Sequence, residues 1–322
     1  MDRRWRRGAA PLLAVAAGAV LGAPLALAAA VGASAAYRVY HPRRQRSART
    51  PAEDGLTTGS IRLEASYDGV PLAAWVVPGR GPNTVVVCHG MGRNRSSVLG
   101  HIRALHRAGH HVVAYDLRNH GDSGADRAYG RMADRFDSDL RDVIHHVRTD
   151  PELRAGQVAV LAFSFSTWPA VHVLVQVDPP LSALVCDSGP AADIGDCLRR
   201  VMNLRRRSLP KLAQREPVFQ MCRLAFELFG RHMLGVKGWP PDLEDVPTRL
   251  LFIAGARDPV IPAQVVTSFA DRYQHAGWWV APRAMHSNAI RVDRKDYLER
   301  LTTFLDGAFT EGDNRHEQAA RG

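Results

Sequence analysis

From residue 60 onward, short apolar runs alternate with stretches of helical periodicity, the pattern of a mostly parallel sheet covered by helices. Residues 61–66 and 72–78 read as an opening hairpin around Asp68-Gly69. Residues 84–88, Thr-Val-Val-Val-Cys, form a continuous apolar run of the kind a strand buried on both faces requires. A helix is predicted over 97–108, a strand over 111–115 and an amphipathic helix over 132–147. Residues 158–162 give the next buried strand, followed by a helix from 165 to about 177. Runs at 181–186, 249–254 and 278–280 complete eight strands, and helices at 263–273 and 295–309 close the pattern. The expected fold class is α/β, an eight-stranded, mostly parallel sheet with helices on both faces. Between 189 and about 247 the alternation stops, and two helical stretches, 194–204 and 218–234, form an insert of lid size.

The N-terminal pattern is different. Residues 8–37 are thirty positions without a charge, which as a helix reach about 45 Å, more than the ~30 Å of a bilayer core. Arg3, Arg4, Arg6 and Arg7 precede the run, and Arg38, Arg43, Arg44, Arg46 and Arg49 follow it. Two readings stand: a retained single-pass membrane anchor, or a secretory signal cleaved near Ala33-Ser34-Ala35. The near-balanced arginines leave the orientation open. Gly18 and Gly22 make a small-xxx-small pair, a match close to chance in so Gly- and Ala-rich a run. Residues 42–60 read as a linker. The chain thus divides into a basic arm with a hydrophobic segment, 1–50, and an α/β domain, 51–322, carrying the insert.

Charge sharpens this division. The 322 residues carry a formal +10, but residues 1–50 hold nine arginines and one aspartate, and the other 272 carry 33 basic and 31 acidic side chains. Basicity concentrated around an apolar segment points to anionic lipid, and no nucleic-acid partner is expected. Within 190–240 there are ten Lys/Arg against four Asp/Glu, so the insert is basic as well. The four cysteines include no CxxC and no Cys/His cluster, so neither a metal nor a cofactor is expected. Cys88 and Cys186 read as buried thiols, and a disulfide between Cys197 and Cys222 is allowed but not indicated.

The candidate chemistry starts at Ala162-Phe163-Ser164-Phe165-Ser166, where a strand runs straight into a helix. A serine at such a corner takes a strained backbone conformation and offers its hydroxyl at the carboxyl end of the sheet. The usual pattern is G-x-S-x-G; here Ala162 and Ser166 stand at the glycine positions. Ser166 is the poorer nucleophile. Asp258 follows the strand ending at Ala254, and His286 follows the last strand. A hydroxyl needs an imidazole to take its proton, and the imidazole needs a carboxylate to fix its tautomer. Asp187, after the preceding strand, is the rival acid, with turn capping as its plainer role. Oxyanion donors are expected from the backbone N–H groups of Phe165 and Met91, the latter in His89-Gly90-Met91-Gly92. No phosphate-loop pattern is present.

Together, His89-Gly90, the stretch from Tyr115 to Ser123 (YDLRNHGDS), the serine corner, Gly255-x-x-Asp258 and His286 resemble the α/β-hydrolase superfamily. With the N-terminal segment, they are similar to its bacterial membrane-anchored, serine-aminopeptidase-like branch. The likeness covers about 60–309, with Asn119 where glycine is more usual. It implies an α/β-hydrolase fold, Ser164 as nucleophile, His286 as base, Asp258 as orienting acid, and Met91 and Phe165 as oxyanion donors. The expected function is a membrane-associated serine hydrolase cleaving an ester, thioester or amide, with a small-molecule or lipid-like acyl substrate. The alternatives are an acyltransferase using the same residues and a catalytically silent fold used for binding. His120 reads as structural, and His145, His146 and His172 as surface or packing residues. The insert's arginines read as a solvated face or as a basic lid toward anionic headgroups or an acidic substrate. Phe219, Leu224, Phe226, Leu228 and Phe229 read equally as core packing or as an acyl-binding surface.

Overall fold

The computed structural model describes residues 6–153 and 156–321, with side chains described for 22–314 outside the 154–155 gap. Its centre is one eight-stranded sheet: β1 (Gly59–Glu64), β2 (Pro71–Val77), β3 (Thr84–Cys88), β4 (His111–Tyr115), β5 (Val158–Phe163), β6 (Ala183–Asp187), β7 (Arg249–Gly255) and β8 (Ala276–Ala281). The spatial order is β1-β2-β4-β3-β5-β6-β7-β8, antiparallel at β1/β2 and β2/β4 and parallel elsewhere. The expected α/β fold is present.

The helices follow in chain order: α1 (Arg6–Tyr40), α2 (Leu99–Arg107), α3 (Met132–Thr149), α4 (Thr167–Val173), α5 (Ile194–Leu204), α6 (Val218–Leu234), α7 (Ala263–Ala270), α8 (Ala289–Val292) and α9 (Arg294–Arg321). Both faces of the central strands are apolar because both are covered. Val85, Val87, Val112, Leu161 and Ile253 pack in one cluster with Ile102 and Leu105 of α2 and Leu301 and Leu305 of α9. The alternate positions Val86, Val113, Val160 and Leu184 are fully buried on the opposite face, where α3 runs against β3 and β5. Period-two alternation with both sets buried is what a continuous apolar run encodes.

Several boundaries differ from expectation. α4 ends at Val173, not near 177, because a turn intervenes before Pro179 and Pro180. α9 continues to Arg321, well past Phe309, along a polar stretch with no apolar repeat to announce it. β8 is longer than the run at 278–280, since it begins at the non-descript Ala276-Gly277 of an edge strand. The segment 42–60 is not a bare linker. Pro51–Asp54 forms a short 3₁₀ turn capped by Thr50, Asp54 pairs with Arg103 at 2.9 Å, and Asn94 Nδ2 donates to the Gln45 carbonyl at 2.8 Å.

The chain falls into two compact units, Met1–Arg38 with Ile194–Met233, and Val39–Asp193 with Leu234–Gly322. The second contains the whole sheet. In the first, α1 meets α6 at Gly32, where a Cβ would stand 2.6 Å from both Ala225 Cβ and the Phe226 nitrogen. Only glycine allows that approach. By contrast, Gly22 of the expected small-residue pair has open space around it, and Gly18 lies outside the described side chains. α5 and α6 touch at Gly230 and Leu198, and the insert's charges partly satisfy one another: Arg199 pairs with Glu227 at 2.8 Å and Arg200 with Asp196 at 2.8 Å. No disulfide joins Cys197 to Cys222. The expected membrane segment, 8–37, lies within α1, and the side chains of 8–21 are outside the described set. Among the described residues, no helix is long and apolar enough to cross a membrane.

Candidate active site

Ser164 sits where β5 gives way to α4, with φ 51°, in the left-handed region that side chains rarely adopt. Buried strand before it and helix after it hold the strain in place. Ala162 is fully buried and paired with Cys88 of β3, which explains why a small residue stands there. The Ser166 side chain is also buried, and its hydroxyl donates to the His89 carbonyl at 2.5 Å. It is a structural hydroxyl that ties β5 to the loop after β3. Gly90 explains itself in the same way, since a Cβ there would stand 3.1 Å from Ser164 Cβ.

His286 Nε2 lies 2.7 Å from Ser164 Oγ, and His286 Nδ1 lies 2.7 Å from Asp258 Oδ2. A carboxylate accepts only, so Nδ1 carries the proton and Nε2 is left to accept from the serine. Asp258 is itself held by backbone: its Oδ1 accepts from the N–H groups of Val260 at 2.8 Å and Ile261 at 2.9 Å. Its loop lies close to the His286 loop at Gly255, where a Cβ would come within 2.6 Å of the Ala284 carbonyl oxygen. The Asp258 side chain is fully buried while His286 keeps 24% of its side-chain surface exposed. Three residues 94 and 28 positions apart in sequence are thus in series, hydroxyl to imidazole to carboxylate, at the carboxyl end of a parallel sheet.

The two expected oxyanion donors lie in different segments. Phe165 follows Ser164 directly, and its ring is wedged edge-on between Phe136, at 4.9 Å between centroids, and Tyr40, at 6.1 Å. Met91 follows Gly90 in a loop that two buried histidines secure. His89 donates from Nδ1 to the Gly90 carbonyl at 2.8 Å and accepts at Nε2 from Leu117 N–H at 3.1 Å. His120 donates from Nδ1 to the Arg118 carbonyl at 2.8 Å and accepts at Nε2 from Gly92 N–H at 2.8 Å. Burial lowers their pKa values to about 4 and about 3, so both rings are neutral and keep an acceptor lone pair at neutral pH.

Sequence reasoning identified the His120 turn as structural, but the bond to Gly92 joins segments 28 residues apart and has no local signal. Asn119 in place of glycine also makes sense: it has φ 66°, and its side chain accepts from Asp126 N–H at 2.6 Å and donates to the Tyr40 carbonyl at 3.1 Å. His172 is paired with Asp137, whose carboxylate raises the imidazole pKa above its usual value against the opposing effect of burial. Among the described residues no group of His, Cys, Asp or Glu is arranged to hold a metal ion.

A family model described as the alpha/beta hydrolase family matches residues 85–298. The chain belongs to that family. Solved alpha/beta folds similar to this hydrolase include an esterase from Pyrococcus furiosus, 21% identical, covering 83% of this chain and 99% of that chain with a TM-score of 0.67. An esterase from Exiguobacterium antarcticum is 17% identical over 77% of this chain and 100% of that one, with a TM-score of 0.57. A thermophilic esterase from Thermogutta terrifontis, malate-bound, is 18% identical over 78% and 99%, with a TM-score of 0.55. No curated protein matches the chain. At these identities the likeness is one of fold. This alpha/beta hydrolase differs from the family's usual G-x-S-x-G corner at both glycine positions, yet Ser164 reaches the left-handed conformation with alanine and serine there.

Proposed function

We propose that the protein is a serine hydrolase that cleaves carboxylic esters through an acyl-enzyme. Ser164 Oγ attacks the acyl carbon while His286 Nε2 takes its proton, and Asp258 holds the ring and stabilises the imidazolium. The backbone N–H groups of Phe165 and Met91 receive the developing oxyanion. The imidazolium then protonates the leaving alkoxide. A water molecule, deprotonated by the same nitrogen, attacks the acyl-enzyme, and the imidazolium returns that proton to Ser164 Oγ as the acyl–oxygen bond breaks and the acid leaves. The observation that carries this reading is His286 suspended between Ser164 Oγ and Asp258 Oδ2 at 2.7 Å on each side. That the similar folds include esterases favours an ester over an amide.

A fluorophosphonate probe tests the nucleophile. The wild type is expected to label and Ser164→Ala not to; an unlabelled wild type, or a label that survives Ser164→Ala, sinks the proposal. A panel of p-nitrophenyl esters, thioesters and aminoacyl amides then ranks the substrates, and added alcohol acceptors separate hydrolysis from acyl transfer. We also place the protein at a membrane through its N-terminal segment, on the strength of thirty uncharged residues bracketed by arginines. Carbonate-resistant sedimentation of the full chain supports that placement, and release into the supernatant removes it.

A further inference from the structure

Three non-glycine residues with positive φ stand at the site: Ser164 at 51°, Ser188 at 62° and Ser287 at 51°. The first belongs to the nucleophile corner. The other two are joined to each other, because Ser287 N–H donates to Ser188 Oγ at 2.8 Å. Ser188 is anchored in turn by its N–H to the Ile253 carbonyl at 2.8 Å, and its hydroxyl proton goes to Asp187 Oδ1 at 2.8 Å. The oxygen of Ser188 accepts from the residue after His286 while its own proton points to Asp187. A chain of hydrogen bonds runs from the end of β6 to the backbone that carries the imidazole.

Resting on the reading of Ser164, Asp258 and His286 above, we propose that Asp187 is a positioning residue for His286. Its carboxylate orients the Ser188 hydroxyl, Ser188 fixes Ser287, and its charge supports the imidazolium from behind. Two strained backbone positions at the two ends of one hydrogen bond are hard to account for as mere turn capping, since capping the turn at Ser188-Gly189 needs no partner 99 residues away. The groups that face this carboxylate are few. Cys186 adjoins it on β6, and Asp258, His286 and Tyr297 of α9 are the other groups that act on it. Behind Tyr297 stands the buried His101 of α2, 5.5 Å between ring centroids, which burial keeps neutral. Burial raises the Asp187 pKa to about 6, while Ser188, Tyr297 and His286 pull it down. That places its ionisation in the range where a serine hydrolase gains activity.

The pH dependence of fluorophosphonate labelling tests this without a natural substrate, using wild type, Asp187→Asn, Ser188→Ala and His286→Ala. Asp187→Asn is expected to slow labelling several-fold and to move the acid limb to lower pH by about half a unit, because a carboxylate near an imidazole favours its protonated form. Ser188→Ala, which keeps the charge and breaks the tether, is expected to slow labelling several-fold with the acid limb in place. Asp187→Asn labelling at the wild-type rate with the wild-type profile overturns the proposal. So does Ser188→Ala moving the limb as far as Asp187→Asn. Ser188→Ala deletes one oxygen and keeps the test decisive where Asp187→Asn does not fold: unchanged labelling there overturns the tether. Wild type that does not label, or His286→Ala that labels normally, removes the underlying reading instead.

Discussion

Asp258 and Asp187 follow neighbouring strands, β7 and β6, and both side chains are buried, yet their surroundings give them different work. Asp258 accepts two backbone N–H groups on one oxygen and His286 Nδ1 on the other. Asp187 has hydroxyl neighbours instead, Ser188 and Tyr297, and its pKa is pushed up to about 6. Backbone amides stabilise a carboxylate permanently, whereas rotatable hydroxyls serve either protonation state. One carboxylate is in direct contact with the imidazole, and the other reaches it through a serine. Environment rather than residue type separates two acids that a sequence presents as rivals.

The largest expected effect breaks the comparison outright. Asp258→Asn should lower kcat about ten-thousandfold, since the amide presents the wrong tautomer to His286, while Asp187→Asn should cost less than tenfold. Steady-state ester hydrolysis checks both, and equal losses would mean that the two acids have been assigned the wrong way round. Next in size is Gly255→Val. Its Cβ would meet the Ala284 and Met285 carbonyl oxygens at 2.6 and 2.8 Å, so the Asp258 loop must retreat from the His286 loop. A displacement of that order should cost kcat about a hundredfold, with fluorophosphonate labelling slowed in proportion. Retained activity would show that the spacing between the loops is not what sets the imidazole.

The comparison also explains what the sequence made legible. Eight strands could be read because continuous Val/Leu runs such as 84–88 have few other uses, and Ser164, Asp258 and His286 because each lies just after a strand. A strand end is a local feature. What links those ends is not: Ser287 N–H to Ser188 Oγ, Gly92 N–H to His120 Nε2 and Ser166 Oγ to the His89 carbonyl span 99, 28 and 77 residues. No periodicity encodes them. The N-terminal segment shows the same limit in reverse, because its apolar run is unmistakable while the close contact of Gly32 with α6 depends on a partner nearly two hundred residues away. Composition there speaks of lipid, and only the fold shows that α1 has a protein neighbour.

The smallest effect sharpens the comparison through stability instead of rate. The native pKa of Asp187, about 6, lies above its ordinary value of 3.8. The folded protein therefore holds that proton over a pH range in which the unfolded chain has released it. The resulting stabilisation is complete below about pH 4 and is lost as pH rises through 6. At pH 8 the wild type carries the full cost of an ionised, buried carboxylate, which Asp187→Asn does not. In urea titrations the variant should thus gain on the wild type between pH 4 and pH 8, by up to about 3 kcal/mol for a gap of roughly two pKa units. A variant that is more stable yet slower at pH 8 identifies Asp187 as a group kept for its effect on His286. A stability difference that stays constant between the two pH values would mean that folding does not raise the Asp187 pKa, and the contrast drawn from its burial would fall.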